Sequence, residues 1–256
     1  MNQEPPRPQE PYSSPLGITG QQVLRPVFRP YITYVLIGIC VGIFLLQYAI
    51  AYLFQIDIAN AFAKDNAMIM RGQLWRLITP MFLHASVLHL GFNMYALFAI
   101  GTTIERFYGR GRYVALFLIG GFAGNVMSFL FTLNPSLGSS TAIFGLLGAE
   151  GVLFYHNREV FGSMAPRALS QVIVIGVINL IIGMTPNSGI DNWGHIGGLI
   201  GGTLFAWFAG PQFRRQGMYP PYSIGDNRSQ REVIIAGIAV TGLFFFLAIA
   251  GMFMRG

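Results

Sequence analysis

The sequence predicts an all-α fold, a polytopic bundle of membrane-spanning helices. Of its 256 residues, 53% are hydrophobic and only 10% are charged, whereas a soluble domain carries about 25% charged residues. The charge is missing from stretches long enough to cross a bilayer, which requires about 20 mostly apolar residues. The net charge of +6 comes from short groups of arginines between these stretches, as in cytoplasmic loops, and not from a clustered basic patch. We therefore expect a lipid bilayer as partner and no nucleic acid.

Seven candidate spans follow a polar N-terminal segment. Residues 1–30 are rich in Pro, Gln and Ser, which predicts a disordered cytoplasmic tail without a cleavable signal peptide. The fourth and sixth spans are rich in glycine. The spans are expected at 31–54, 87–104, 113–131, 140–155, 168–185, 193–209 and 233–253.

The segment between the first two spans, residues 55–86, is too long for a tight turn. It interleaves charged and apolar residues, which is typical of an ordered amphipathic loop at the membrane interface, with or without short helices. Within it, Trp75 is expected to anchor at the interface, and Arg76 to pair with backbone carbonyls of the loop. Its charged residues are Asp57, Lys64, Asp65, Arg71 and Arg76.

The distribution of positive residues predicts the orientation of the chain. With the N-terminus inside, twelve of the sixteen Lys and Arg residues fall in cytoplasmic segments, which follows the positive-inside rule. The C-terminus is then outside, and the second, fourth and sixth spans all run from outside to inside.

Glycines spaced for close packing occur in the third, fourth and sixth spans. Such spacing lets helix backbones approach one another in lipid, so we expect the fourth and sixth spans to be neighbours. The positions are Gly120 and Gly124, then Gly145, Gly148 and Gly151, then Gly197 with Gly201 and Gly198 with Gly202.

Polar side chains begin three of the spans that run in the same direction. Ser140 precedes Arg158 by 18 residues and His195 precedes Arg214 by 19, so both lie roughly 27–28 Å from the inner edge at 1.5 Å per residue. His89 comes to roughly 25 Å by the same estimate, and Asn93 is one turn further along the same face. The sequence therefore predicts one shared polar level toward the outer side, where water has access.

The chemistry of these groups predicts a hydrolytic site. A serine hydroxyl needs a neighbouring base, usually His, to become nucleophilic, and a helix N-terminus offers unpaired N–H groups to a developing oxyanion. Asp191 is the one carboxylate near this level, a turn outward of His195 and expected to face water, so a Ser–His dyad is favoured over a triad. Chemistry alone does not distinguish Ser139 from Ser140, and His84 is expected to be structural.

Taken in order, these motifs resemble the rhomboid family of intramembrane proteases. The resemblance covers about residues 67–209 and rests on four elements, each weak by itself. They are Trp75–Arg76, the H-x-x-x-x-H-x-x-x-N pattern of His84, His89 and Asn93, the G-x-S element Gly138–Ser139–Ser140, and the Gly194–His195–Ile196–Gly197–Gly198 run.

The resemblance implies a serine endopeptidase that cleaves transmembrane protein substrates near their outer end, without metal or cofactor. It assigns Ser140 as nucleophile and His195 as base, with His89, Asn93 and the Ser140 backbone as oxyanion hole. Residues 31–209 would form a six-span catalytic core, 210–232 a cytoplasmic loop and 233–256 an additional span. The setting implied is a bacterial cell membrane, and Glu105 resembles a structural position of the family.

Two positions depart from the family pattern. The glycine that usually follows the nucleophile is here Thr141, whose bulk would narrow the site or whose hydroxyl would hold the first turn of the helix. The tyrosine common four residues after the nucleophile is Phe144, which retains stacking on the base but has no phenol hydroxyl.

Two other functions compete with a protease. Thr141 is the one feature that favours a catalytically inactive relative that binds membrane clients. A small transporter would require internal repeats and polar residues at mid-membrane, and the sequence shows neither convincingly.

Overall fold

A computed structural model of the chain describes residues 28–186, 188–216 and 223–255. The tail expected over residues 1–30 lies outside the described residues up to position 27. The elements are α1 (Tyr31–Phe54), α2 (Ile58–Phe62), α3 (Asn66–Met70), α4 (Val87–Phe131), α5 (Ser140–His156), α6 (Arg158–Phe161), α7 (Met164–Gly183), α8 (Asn192–Ala209), β1 (Phe213–Gln216), β2 (Ser223–Asp226) and α9 (Gln230–Arg255).

The interfacial loop between α1 and α4 is ordered and carries short helices. Asp57 caps α2 and Asp65 caps α3, each carboxylate accepting a backbone N–H of the first turn, as aspartates at this position usually do. Two 3₁₀ turns, Leu74–Leu77 and Thr79–Phe82, complete the loop. This segment is therefore ordered and contains short helices, while its place at the membrane interface stays a prediction.

The second and third predicted spans are two helical arms of α4 that join directly at Gly109, where the chain reverses. Gly109 has φ 76° and ψ 165° inside α4, a conformation that glycine adopts without steric cost. The two arms fold back on each other so closely that a Cβ built on Gly101 would collide with the Tyr113 hydroxyl. The sequence predicted a separate loop at 105–112, whereas the structure needs only this glycine.

A buried carboxylate ties the first helix to this hairpin. Glu105 is 1% exposed and accepts the backbone N–H groups of Ile32 and Thr33 at 2.9 and 2.8 Å. These amides have no partner within α1 because they begin the helix, and a negative charge is favourable at a helix N-terminus. The structural part that Glu105 plays is thus to cap α1.

Helices α4, α5 and α8 form the centre of the bundle, and glycines set their spacing. A Cβ built on Gly145 of α5 would lie 2.9 Å from the Cα of Gly120 in α4, and one on Gly202 of α8 would collide with Gly145. A Cβ on Gly198 would collide with the Thr141 carbonyl. The expected proximity of the fourth and sixth spans is confirmed.

The fold is helical, as predicted, with one small addition. Strands β1 and β2 pair antiparallel from Phe213 opposite Asp226 to Gln216 opposite Ser223. Asp226 accepts a salt bridge from Arg112 at 2.6 Å, which holds the ribbon against α4 near the Gly109 reversal. The sequence predicted only a loop at 210–232.

Four helices in the described part of the chain are long and apolar enough to cross a membrane, namely α1, α4, α7 and α9. Helices α5 and α8, of 17 and 18 residues, do not join this set. They are the glycine-rich pair that packs with α4 at the centre of the bundle.

Candidate active site

The two adjacent serines at the start of α5 have different environments. Ser139 is 0% exposed, and its hydroxyl lies 3.3 Å from Nε2 of His84. Ser140, the first residue of α5, is only half-buried. The structure thus separates two residues that the sequence left equivalent in chemistry, and Ser140 is the accessible one.

Gly138 makes room for an imidazole beside Ser140. Its φ of 132° lies in the region that favours glycine, and its N–H donates to the Pro80 carbonyl at 2.9 Å. A Cβ built there would lie 2.7 Å from Nε2 of His89 and 3.8 Å from Oγ of Ser140. His89 and Ser140 therefore border the same small space, and any larger residue at position 138 would fill it.

Local contacts orient the His89 ring. The Ser86 hydroxyl caps α4 by accepting the His89 N–H at 3.1 Å, which fixes the start of the helix. The Ala85 N–H donates to Nδ1 of His89 at 3.4 Å, so the neutral ring carries its proton on Nε2. That N–H is the one beside Gly138 and Ser140, where it is placed to donate.

His195 stacks against the ring of Phe144, which lies one helical turn after Ser140 in α5. It is the fourth residue of α8 and 6% exposed. The ring of Phe144 stacks on it with centroids 4.1 Å apart and planes 13° apart. Because Phe144 is four residues after Ser140, the two share one face of α5. The stacking therefore brings His195 to the face of α5 that carries Ser140.

Among the described residues, no hydrogen bond joins Ser140 to His195, and Nδ1 of His195 is buried without a partner. Catalytic hydrogen bonds are often long in a site without substrate and shorten in the complex. The N-cap residue Ser139 makes no side-chain hydrogen bond to the first turn of α5. The amides that begin α5 are thus not capped by that side chain.

Asp191, which the sequence predicted to face water, caps α8. Its carboxylate accepts the Gly194 N–H at 2.9 Å, the Thr132 hydroxyl at 3.2 Å and the Ser128 hydroxyl. It is half-buried. Its oxygens are occupied by these donors, and in the structure none of them bonds to the His195 ring.

Asn93 and His84 lie on either side of His89. The Asn93 amide is 6% exposed and donates to the His89 carbonyl at 2.9 Å. His84 is 1% exposed, and burial, followed by the neighbouring His89, lowers the pKa of His84 to about 4. Its ring is therefore neutral at neutral pH and serves as a hydrogen-bonding partner of Ser139.

Thr141 packs between helices. Its Cβ would lie 2.6 Å from a Cβ built on Gly124 of α4, and its methyl group 3.1 Å from one built on Gly194 of α8. The Thr141 hydroxyl is buried and has no hydrogen-bond partner in the part of the chain that the structure describes. The methyl group, and not the hydroxyl, thus makes the contacts of this side chain.

The loop residues Trp75 and Arg76 lie apart from this cluster. Trp75 is 48% exposed. The Arg76 guanidinium is buried and donates to the carbonyls of Asn60 and Ala63 at 2.9 and 2.8 Å. Arg76 thus organises the loop from within, as expected from its position.

Sequence reasoning missed several polar side chains around the site. Gln47 of α1 holds the backbone of His84 through two hydrogen bonds of 3.3 Å, and Ser128 and Thr132 hold Asp191. A polar residue within an apolar span was the available signal for Gln47 and Ser128.

Comparison with known proteins gives one consistent family. The rhomboid domain matches residues 71–212. The chain is 38% identical over 220 residues to rhomboid protease GluP of Bacillus subtilis, covering 86% of this chain and 41% of that protein. It is 33% identical over 182 residues to the chloroplastic RHOMBOID-like protein 9 of Arabidopsis thaliana, covering 70% and 38%. It is 35% identical over 146 residues to Rhomboid-like protease 1 of Toxoplasma gondii, covering 55% and 48%.

The chain thus spans less than half the length of each of these three relatives. The matched domain nevertheless includes all four motifs and covers more than half of this chain. With its apolar helices, the chain is an integral multi-pass membrane protein, and it belongs to the rhomboid family.

Proposed function

We propose that this chain is an intramembrane serine endopeptidase that cleaves transmembrane protein substrates near the outer membrane face. Ser140 is the nucleophile and His195 the general base. The observation that carries the proposal is the stack of Phe144 on His195, because Phe144 lies one helical turn after Ser140 on the same face of α5. The name of the similar Bacillus subtilis protein, a rhomboid protease, supports the same activity.

The reaction proceeds by acyl transfer. The Ser140 hydroxyl oxygen attacks the scissile carbonyl carbon while its proton passes to His195, and the carbonyl π electrons move onto oxygen. When the tetrahedral intermediate collapses, the C–N bond breaks and His195 returns the proton to the leaving amine. A water molecule, deprotonated by His195, then attacks the ester, and Ser140 recovers its proton as the acid product leaves.

Three donors are proposed for the oxyanion. The Nε2–H of His89 borders Ser140 through the space above Gly138, and the Ser140 N–H belongs to the first turn of α5. Asn93 lies one turn along α4 from His89 and has a second amide hydrogen to offer. Donors fixed in place before the reaction stabilise developing charge without reorganisation.

The proposed topology has seven crossings, a six-span core and one additional span. The two arms of α4 count separately because Gly109 reverses the chain, and α5 and α8 cross within the bundle. Arg255 donates to the Leu130 carbonyl at 2.7 Å, so α9 ends beside the end of α4, from which the chain leads to α5. With the arginine-rich end at the cytoplasm, the C-terminus and the site face outward, in a bacterial cell membrane.

An activity-based probe tests the nucleophile. A fluorophosphonate should label the purified wild type and the Ser139→Ala variant in detergent but should not label Ser140→Ala. Hydrolysis of a generic transmembrane substrate should follow the same pattern. Labelling that persists in Ser140→Ala would overturn the assignment.

Substitution of Asp191 tests whether His195 acts without a carboxylate partner. Asp191→Asn retains an acceptor for the Gly194 N–H and should keep activity within a few-fold, whereas His195→Ala should abolish it. In a Ser–His–Asp triad, replacement of Asp by Asn lowers kcat about 10⁴-fold. A loss of that size would make Asp191 a member of the catalytic machinery.

The second candidate is a rhomboid-like protein that binds membrane clients without cleaving them. It is favoured by Thr141, which departs from the family pattern, and by the missing hydrogen bond between Ser140 and His195 among the described residues. If the wild type binds transmembrane substrates and neither cleaves them nor reacts with the probe, this second candidate replaces the first.

A further inference from the structure

The chain contains a single lysine, and that lysine is buried. Lys64 is alone among sixteen cationic side chains, the rest of which are arginines. It lies in the interfacial loop but is 0% exposed. Lysine is almost never fully buried unless it is paired, because an uncompensated buried charge is costly. Its contacts therefore indicate what it does.

The Lys64 ammonium holds the segment that leads to Ser140. Nζ donates to the carbonyls of Thr132 and Asn134 at 3.0 and 2.7 Å, and to Oδ1 of Asn66 at 3.1 Å. These three acceptors match the three hydrogens of an ammonium group. The Lys64 backbone also exchanges two hydrogen bonds with Ser136, at 2.9 and 3.1 Å. The chain just before Gly138 is thus fastened to the loop.

The same contacts continue to the helix that carries His195. Thr132, whose carbonyl accepts from Lys64, donates its hydroxyl to Asp191 at 3.2 Å. Ser136 contacts the Ser128 hydroxyl at 3.3 Å, and Ser128 donates to the other oxygen of Asp191. Asp191 in turn accepts the N–H of Gly194, the residue before His195. One polar network therefore links the segment that leads into α5 with the first turn of α8.

The charge of Lys64, and with it that of the network, changes near pH 8. Burial lowers the pKa of Lys64 to about 8, with Asp191 and Asp65 opposing the effect and Arg255 adding to it. At neutral pH the ammonium has a hydrogen for each of its three acceptors. The neutral amine has two, so one of the three bonds is lost when Lys64 titrates.

We propose that Lys64 is a positioning residue that sets the separation of Ser140 and His195 by fastening the starts of α5 and α8 to the interfacial loop. This inference rests on the proposed function, because its catalytic consequence requires that these two residues act together. Lys64 itself does not touch the reacting atoms.

Hydrogen exchange tests the fastening without reference to activity. Lys64→Met keeps the length and burial of the side chain but removes its donors, and Arg71→Met removes an exposed cation from the same loop as a control. We expect amides in 132–140 and at the start of α8 to exchange at least about tenfold faster in Lys64→Met, since loss of a hydrogen bond to a charged group favours local opening by about that factor or more. Arg71→Met should match the wild type. Unchanged exchange in Lys64→Met would overturn the proposal.

Kinetics test the positioning. In Lys64→Met, assayed well below its melting temperature, kcat should fall about tenfold or more with KM little changed, because binding surfaces remain and the dyad loses alignment. A lower melting temperature with unaltered kcat would make Lys64 merely structural and would overturn the proposal. If the wild type itself shows no hydrolysis and no probe labelling, the proposed protease function fails, while hydrogen exchange still decides whether Lys64 fastens the two helices.

A wild-type measurement covers the case in which Lys64→Met does not fold. Labelling with lysine that carries ¹⁵N at Nζ gives one resonance, whose titration reports the pKa of Lys64 directly. We expect kcat to decline over the same pH range in which that resonance titrates. A kcat that stays constant through the titration would overturn the proposal.

Discussion

The central and peripheral helices of this bundle follow different rules. In α4, 61% of the most apolar stretch is buried within the protein, against 22%, 11% and 22% in α1, α7 and α9. The central helices α4, α5 and α8 carry the glycines that pack against the backbone of a neighbouring helix and the candidate catalytic groups, whereas the peripheral helices present exposed Ile, Leu and Phe to the bilayer. In lipid there is no hydrophobic drive between helices, so close backbone contact and polar pairing must supply the specificity. Those features are concentrated where the site is.

The largest expected difference in stability is between substitution of a glycine in a central helix and substitution of a glycine in a peripheral helix. Gly198→Val places a side chain against the Thr141 carbonyl and should destabilise the protein by about 3 kcal/mol or more, because over-packing forces backbone shifts. Gly242 of α9 has no atom of the described residues within 4 Å of a built Cβ, so Gly242→Ala should be neutral or should stabilise by up to about 1 kcal/mol. Thermal unfolding in detergent measures both.

The outcome that contradicts this contrast is equal tolerance. If Gly198→Val unfolded at the wild-type temperature and remained active, the close approach of α5 and α8 would not be needed to bring Ser140 and His195 together.

Two asparagines that make the same hydrogen bond within their helices allow a catalytic effect to be distinguished from a packing effect. Asn93 in α4 and Asn179 in α7 each donate to the carbonyl four residues earlier, at 2.9 and 2.8 Å. Asn93→Ala should lower kcat about 10²–10³-fold with little change in KM, as expected for loss of an oxyanion donor. Asn179→Ala, on the lipid-facing helix, should leave kcat within a few-fold. A change that fell on KM would make Asn93 a substrate-binding residue.

The buried lysine predicts an unusual dependence of stability on pH. The folded-state pKa of Lys64, about 8, is below its ordinary value of 10.5, so between these values the unfolded chain binds more protons than the folded one. Stability should therefore rise with pH across this window, by on the order of 3 kcal/mol, and stay at its lower level below about pH 8. Thermal unfolding from pH 7 to 11 measures the rise, which should be absent in Lys64→Met and present in Arg71→Met.

This rise in stability accompanies the expected decline in kcat above pH 8. The opposite signs follow because a buried charge costs folding free energy while it fixes geometry. Parallel changes in stability and kcat would show that Lys64 acts through global stability alone.

The smallest effects are expected at Thr141. Thr141→Val keeps the methyl contacts with Gly124 and Gly194 and removes a hydroxyl that has no partner among the described residues, so activity should stay within a few-fold and stability within about 1 kcal/mol. Thr141→Gly removes the contacts and should cost about 1–3 kcal/mol through lost packing and helix flexibility. Thr241→Val on the exposed face of α9 is the matched control.

If Thr141→Gly were more active than the wild type and equally stable, crowding of the nucleophile would be the correct account of this position. If Thr141→Val lost activity, the hydroxyl would have a part in catalysis that its surroundings do not indicate.

Local rules in the sequence predicted the helical class, the ordered interfacial loop and the close approach of α5 and α8. Each of these predictions rests on a pattern within a short stretch of sequence, so it can be made without knowing the fold. The patterns are the apolar run length needed to cross a bilayer, the interleaved charges of residues 55–86 and the four-residue glycine spacing. The proposed dyad is also a sequence prediction, since Ser140 and His195 begin spans that run in the same direction from the same level.

Only the tertiary structure decided which partners the remaining polar groups have. The sequence does not state that Glu105 caps α1, that Gly109 alone reverses α4, or that Asp191 caps α8. It placed Lys64 in a loop at the interface, where an isolated lysine is normally solvated, and the fold buries it against the carbonyls of Thr132 and Asn134. These contacts join residues about 70 positions apart, and such pairings depend on how the helices pack, which the pattern within any one helix does not specify.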